Sequence, residues 1–279
     1  MIENNVVNHC RMVSKQMRKD IINMTYELGN VGAHLGGSLS VVEILAVLYN
    51  AIVKYPTEEQ EREYRDRVIL SKGHAALALY PALASAGIIE RSELSSFKKN
   101  GSLLSGHPSL NGLPGIEFAS GSLGQGLSLG VGVCLALKQK DNNLSHCYVV
   151  LGDGECDEGS VWEAASSAAH YKLNNLTAIV DRNMIQYDGA TETIMNMNSL
   201  ADKWASFGWD VVSVDGHDVE QLLAAFKKEK SGPKVIIAET IKGKGVSFME
   251  ADYRFHNARL SKEQYVTAMK ELGETNDRD

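Results

Sequence analysis

The stretch that decides the reading of this chain runs from Leu151 to Asp188, LGDGECDEGSVWEAASSAAHYKLNNLTAIVDRNMIQYD. An apolar run (Tyr148 to Leu151) meets Gly152-Asp153-Gly154, an Ala-rich segment follows, and a second apolar run (Leu176 to Val180) closes on Asp181-Arg182-Asn183. By period this is strand, tight turn, helix, strand, loop. In a parallel βαβ unit both strands end at the same rim of the sheet, where open α/β folds bind their ligands, so Asp153 and Asn183 converge there. A carboxylate and an amide oxygen, with room left for water and phosphate oxygens, is a set that suits Mg²⁺, and Ca²⁺ is the alternative. The glycines beside Asp153 let the backbone approach a diphosphate closely. A Gly-Asp-Gly turn alone is an ordinary way to end a strand; the Asn at the end of the next strand favours a cation site.

The rest of the chain extends the same pattern. Short apolar runs, at Val68 to Leu70, Trp209 to Val214 and Val235 to Glu239, alternate with helical segments. That alternation predicts an α/β fold, mainly a parallel sheet with helices on both faces. A long helix is expected from about Asn8 to Leu28 with Gly29 beyond its end, and Ser40 with Glu43 forms the pattern of a capping box. Asp218 is placed to cap a helix reaching Lys228. Small residues at Gly126, Gly130, Gly132 and Ala136 predict a helix that another backbone or a ligand approaches closely. No repeat or linker divides residues 1–279, which read as one domain with a short helical tail at about 261–279.

Bulk properties narrow the function. With 279 residues, 44% hydrophobic and 23% charged, the chain can bury a full core. A net charge of -7 gives no general attraction to nucleic acid or anionic membrane. Four cysteines without CxxC spacing fit a reducing compartment, and no apolar run reaches eighteen residues, so a cytoplasmic location is expected.

Eight histidines occur, and four of them, His34, His74, His107 and His256, fall in Gly-flanked or polar loops, where a side chain can reach a cleft from a rigid sheet. The others have plainer explanations: His9 at a helix start, His146 at a strand edge, His170 at a helix end and His217 in a turn. The loops themselves carry a resemblance. GAHLGGSLS (32–40), SKGHAALALY (71–80), SGHP (105–108), SGSLGQG (120–126) and TIKGKGVSFME followed by FH (240–256) are similar, in order, to segments of the transketolase family. The GDG and Asn pair resembles the thiamine diphosphate motif of that family. Leu35 and Ser122 stand where the family has Pro, and Asn257 where it has Gly, and the first of these bears on the loop that positions His34.

The resemblance implies that Asp153, Asn183 and the backbone carbonyl of Ile185 hold the divalent cation. It implies that His74, Gly121, Leu123, Gly152, Gly154, Glu158, Asn183 and His256 bind thiamine diphosphate, and that His34, His74, His107 and His256 act in catalysis. Glu158 and Glu163 match acidic residues near the family's dimer interface, although from the sequence alone a charged first helical turn is the better explanation. The implied reaction moves a two-carbon ketol unit from a ketose, phosphorylated by expectation, to an aldose, and neutral-range histidines suit its proton transfers. The family's pyrimidine-binding domain lies further along its chains. The sequence therefore resembles the N-terminal subunit of a split transketolase, expected to work with a separate C-terminal subunit in a heterotetramer with two copies of each. Two other readings are a thiamine diphosphate-dependent 2-oxo acid dehydrogenase α subunit, which is not expected to carry the GHP and SxGHxSxxLY-like loops, and a regulatory domain without chemistry.

Overall fold

The structure is a computed structural model and describes residues 4–56, 63–142 and 144–273. Among the described residues five strands form one sheet: β1 (Arg67–Leu70), β2 (Cys147–Gly152), β3 (Leu176–Arg182), β4 (Asp210–Asp215) and β5 (Lys234–Glu239). Their order is β1-β2-β3-β5-β4 and every pairing is parallel. The apolar runs of β2, β3 and β5 follow from burial on both faces, whereas β4, at an edge, mixes Asp and Ser with its valines and has no buried residue.

Helices cover both faces of the sheet. They are α1 (Asn4–Glu27), α2 (Gly36–Leu39), α3 (Val42–Val47), α4 (Ala76–Ser85), α5 (Gly126–Gln139), α6 (Gly159–His170), α7 (Thr191–Ile194), α8 (Leu200–Ser206), α9 (Val219–Lys227) and α10 (Lys262–Glu271). Successive strand residues face opposite sides, so Val150 and Ile179 join a core with α1, α3, α4 and α9, while Val149 and Val180 join a second core with α5, α6 and α8. Helix α6 buries Val161, Ala164, Ala165 and Ala168, the one-face spacing that its sequence carries.

Most local expectations hold. Gly29 follows α1 with φ +58°, Asp218 caps α9 through the backbone N–H groups of Glu220 and Gln221, and Ser261 caps the tail helix. The charged run from Glu58 lies partly outside the described residues, as does the end of the tail. Two expectations fail. Ser40 does not cap the start of α3: its hydroxyl donates to Asp181 (2.7 Å), and Glu43 pairs instead with Arg18 and His217. In α5, Gly126 and Gly130 do sit against Ser71 and Val149, but Gly132 faces open space with nothing within 4 Å of a Cβ placed there.

Candidate functional site

Parallel strands deliver their following loops to one rim, and the site is built from those loops. The turn after β2 carries Asp153, whose carboxylate accepts from the N–H of Gly154 (2.9 Å) and of Met184 (2.7 Å). The loop after β3 carries Asn183, whose Oδ1 accepts from the N–H of Ile185 (3.2 Å). Between Asn183 and Ile185, Met184 takes φ +63°, a conformation that L residues adopt at a cost. A cavity of about 200 Å³ has Asp153, Asn183 and Ile185 in its wall, together with Gly152, Gly154, His74, His256, Leu123, Lys72, Lys242, Gln186 and Tyr187.

The four loop histidines meet beside it. His34 lies 5.7 Å from His74, 5.4 Å from His107 and 5.5 Å from His256, measured between ring centroids, and His74 lies 5.2 Å from His256. Backbone pairing of Ala33 with Ala258 (2.9 and 3.0 Å) locks the His34 and His256 loops together. At the turn holding His74, Gly73 is needed because a Cβ there would lie 2.6 Å from Ser120 Oγ. A smaller cavity of about 120 Å³ opens among His34, His74 and His107, with Phe97 and Lys98 in its wall.

Charge sets the state of these rings. Burial, then the positive charge of Lys72, takes His74 well below its ordinary range; burial, His107 and Lys98 take His34 down to about 4. Burial and Lys242 take His256 to about 3, and burial with Lys98 lowers His107. All four are neutral near pH 7. Lys242 Nζ donates to His256 Nδ1 (3.0 Å), so the hydrogen of that neutral ring sits on Nε2. Asp153 is pushed up to about 6 by burial and by the neighbouring charge of Asp181. Lys72 offsets this only in part, and a divalent cation would supply further positive charge.

Of the residues expected from sequence, Asp153, Asn183, Ile185, His74, Leu123, Gly152, Gly154 and His256 share the main cavity wall. Gly121 lies instead against His107, a Cβ on it meeting that ring at 3.4 Å. Glu158 and Glu163 are exposed on the first turns of α6, and Glu158 packs its side chain against Gly124. Among the described residues no three His, Cys, Asp or Glu side chains group as a metal cluster, and the expected donor set contains only one such side chain.

Sequence reading missed several residues. Lys242 donates to the Ile185 carbonyl (2.7 Å) as well as to His256, and burial lowers it to about 8. Glu155 accepts from the N–H groups of Gly124 (2.8 Å) and Gly152 (3.0 Å) and from the Ser71 hydroxyl, tying three loops. His217 accepts the Ile241 N–H at Nε2 (2.8 Å), so its Nδ1 donates to Glu43 (2.9 Å). Burial raises Glu43, but the bonds from His217 and Arg18 outweigh it and hold the carboxyl at about 2. Tyr187, exposed, stands edge-on to His256 at 4.9 Å. The repeated Lys-Gly pattern of Ile241 to Gly245 was the one available signal for Lys242.

Comparison with known proteins fits this geometry. The family model described as "Transketolase, thiamine diphosphate binding domain" matches residues 3–278. The chain belongs to the transketolase family. It is 40% identical over 271 residues to an apulose-4-phosphate transketolase subunit from Phocaeicola vulgatus, covering 96% of this chain and 95% of that protein. It is 42% identical over 250 residues to the 6-deoxy-6-sulfo-D-fructose transketolase subunit SqwG of a Clostridium species, covering 88% and 90%. Among solved structures, the transketolase of Campylobacter jejuni superposes with a TM-score of 0.85 at 28% identity, over 98% of this chain but 43% of that one. The chain thus spans less than half of that transketolase. The matched family is not that of the 2-oxo acid dehydrogenases, so that alternative falls. No helix among the described residues is long and apolar enough to cross a membrane, and all four cysteines are free and buried.

Proposed function

We propose that this chain is the N-terminal, diphosphate-anchoring subunit of a two-subunit cytoplasmic transketolase, folded as one domain and active only with a C-terminal partner. The observation that carries the reading is Asp153, Asn183 and Ile185 in one cavity wall with His74 and His256, and His34 and His107 at an adjoining cavity that shares His74, in a chain that matches proteins named as transketolase subunits over most of their length. Asp153, Asn183 and Ile185 hold Mg²⁺ or Ca²⁺, and Gly121, Leu123, Gly152, Gly154, Glu158, His74 and His256 receive thiamine diphosphate. The cofactor supplies the electron sink for cleaving and forming the carbon–carbon bond next to the sugar carbonyl.

The chain's residues then have distinct tasks. Lys242 faces the diphosphate with its charge. His34 and His107, away from the cation loops, bind sugar hydroxyls and accept protons; His256 donates a hydrogen bond from Nε2. A neutral ring can take up a proton from the sugar, and only the imidazolium so formed gives it back. The two subunit relatives are named for a sugar phosphate and a sulfonated sugar. A terminally anionic ketose is the proposed donor here, with two copies of each subunit in the assembly.

The test is reconstitution. The purified chain with thiamine diphosphate and Mg²⁺ is expected to show no ketol transfer, and addition of the C-terminal subunit is expected to restore it across a screen of phosphorylated and sulfonated ketoses. Full transfer by the chain alone contradicts the division of labour. A reconstituted pair that oxidises 2-oxo acids and moves no ketol unit contradicts the reaction.

A further inference from the structure

We propose that Asp181 is a positioning residue that aims the side-chain oxygen of Asn183 at the cation, and that the buried Lys72–Asp181 ion pair holds it in place. The proposal rests on the cation site above but deepens it by naming what sets that ligand's orientation.

An asparagine side chain presents oxygen at one end and nitrogen at the other, and only the oxygen can ligate a cation. Something must choose between them. Asp181 and Asn183 are two residues apart at the end of β3, a spacing that sends both side chains to the same face. Asn183 Nδ2 donates to Asp181 Oδ2 (2.8 Å). An ionised carboxylate only accepts, so turning the amide over would set oxygen against oxygen in a place where Asp181 has no exposed surface.

Asp181 is itself held fast. Its Oδ2 also accepts from Ser40 Oγ (2.7 Å) and from Lys72 Nζ, and its Oδ1 accepts from Thr240 Oγ1. Four donors, three of them on Oδ2, converge on this one carboxylate. They come from the end of α2, the loop after β1, the loop after β3 and the loop after β5, so one side chain joins four segments that line the rim. Lys72, almost fully buried, spends a second proton on the Gly37 carbonyl (2.9 Å), and Gly37 packs against the His74 ring. With the Ile185 N–H donating to Oδ1 at the other end (3.2 Å), the shorter bond from Nδ2 to the fixed carboxylate sets the orientation of Asn183 before any cation arrives, which lowers the ordering needed on binding.

The experiment begins with the unaltered, cofactor-free chain, labelled with ¹⁵N. At least one side-chain amide proton of Asn183 should exchange with solvent more than about tenfold slower than those of exposed Asn196. Equal rates overturn the proposal. In the double variant Asp181→Leu/Lys72→Met, which replaces the pair by apolar groups that a buried site tolerates, that protection should vanish and the apparent Kd for Mg²⁺ with thiamine diphosphate should rise about 10- to 100-fold. Retained protection, or a Kd within twofold, overturns it. Thr240→Val removes a donor to the other carboxylate oxygen and should leave Asn183 protected; loss of protection there would show general loosening and overturn the specific assignment. If the double variant does not fold, the unaltered chain and Thr240→Val decide. A chain that binds no cation, yet protects Asn183 as expected, sinks the cation reading and leaves the orientation by Asp181 standing.

Discussion

The two ends of the sheet carry buried charge to much the same degree and use it in opposite ways. At the end where the strands begin, Lys234 Nζ donates to the carbonyls of Ala225 (2.7 Å), Phe226 (2.9 Å) and Lys228 (3.0 Å), closing the last turn of α9. Lys230 donates to Leu176 O and Thr177 Oγ1 (both 2.8 Å), and Asp66 accepts from the N–H groups of Lys54 (2.8 Å) and His146 (2.7 Å). At the end where the strands finish, the rings of His34, His74 and His107 make no hydrogen bond to any described residue. Shifted acidity does not separate the two. Burial, with the charge of Lys234 second, brings Lys230 to about 7, and burial first brings Lys234 and Lys242 to about 8, with Lys242 in the wall of the main cavity. What distinguishes a site here is hydrogen-bonding capacity left unused where several loops converge.

The sharpest way to break that contrast is Asp153→Ala. We expect it to weaken cation and cofactor binding more than about 100-fold, beyond the range typical of groups that only support a ligand, and to abolish ketol transfer in the reconstituted pair; calorimetric titration checks it. Next in size, His34→Ala should lower kcat by about 10²- to 10⁴-fold, the usual worth of a proton-transfer group, with cofactor affinity unchanged because His34 lies outside the main cavity wall. Steady-state kinetics and the same titration separate the two quantities. At the opposite end, Lys234→Met should cost about 1–3 kcal/mol by leaving buried helix-end carbonyls unpaired and should leave kcat alone, as urea unfolding and the transfer assay will show. A drop in kcat without loss of stability would erase the distinction between the two ends.

The smallest effect is one of pH. His34 and His256 sit below the ordinary histidine value in the folded chain, so the unfolded chain takes up protons first as pH falls. Stability is fully present above about pH 6.5 and is lost progressively as pH falls from there toward the folded values near 4 and 3. Melting of the cofactor-free chain should drop by a few degrees between pH 7 and pH 5, and less so in His34→Ala. A flat profile would mean that the rings are already solvated.

How much of this was readable in the sequence depends on how far apart the partners lie. Asp153 and Asn183 share one βαβ unit, and their period and turn residues announce them. The histidines announce themselves by sitting in glycine loops without periodicity. Asp181 is the counterexample: it ends an ordinary apolar run, and the four groups that explain it lie at Ser40, Lys72, Asn183 and Thr240. Ser40 shows the same limit from the other side, because its capping pattern was sound locally and was overridden by an acceptor across the molecule. His217 looked like a turn residue since neither Glu43 nor Ile241 is near enough in the chain to suggest a pairing.

The arrangement of the strands also bears on how the molecule assembles. β2 and β3 are joined through a short helical turn (Gly154–Asp157) and α6, and β4 and β5 through α9, whereas β1 ends at Leu70 and waits for a partner that begins at Cys147. Closing that long loop is the entropically costly step, so the local pairs form early and β1 docks late. Asp153 and Asn183 belong to an early pair, and His74 rides in on the late strand. A nascent chain therefore acquires its cation-facing loops before its histidine ring, and pulse-labelled hydrogen exchange should find the amides of Val68 to Leu70 protected after those of Val149 and Ile179.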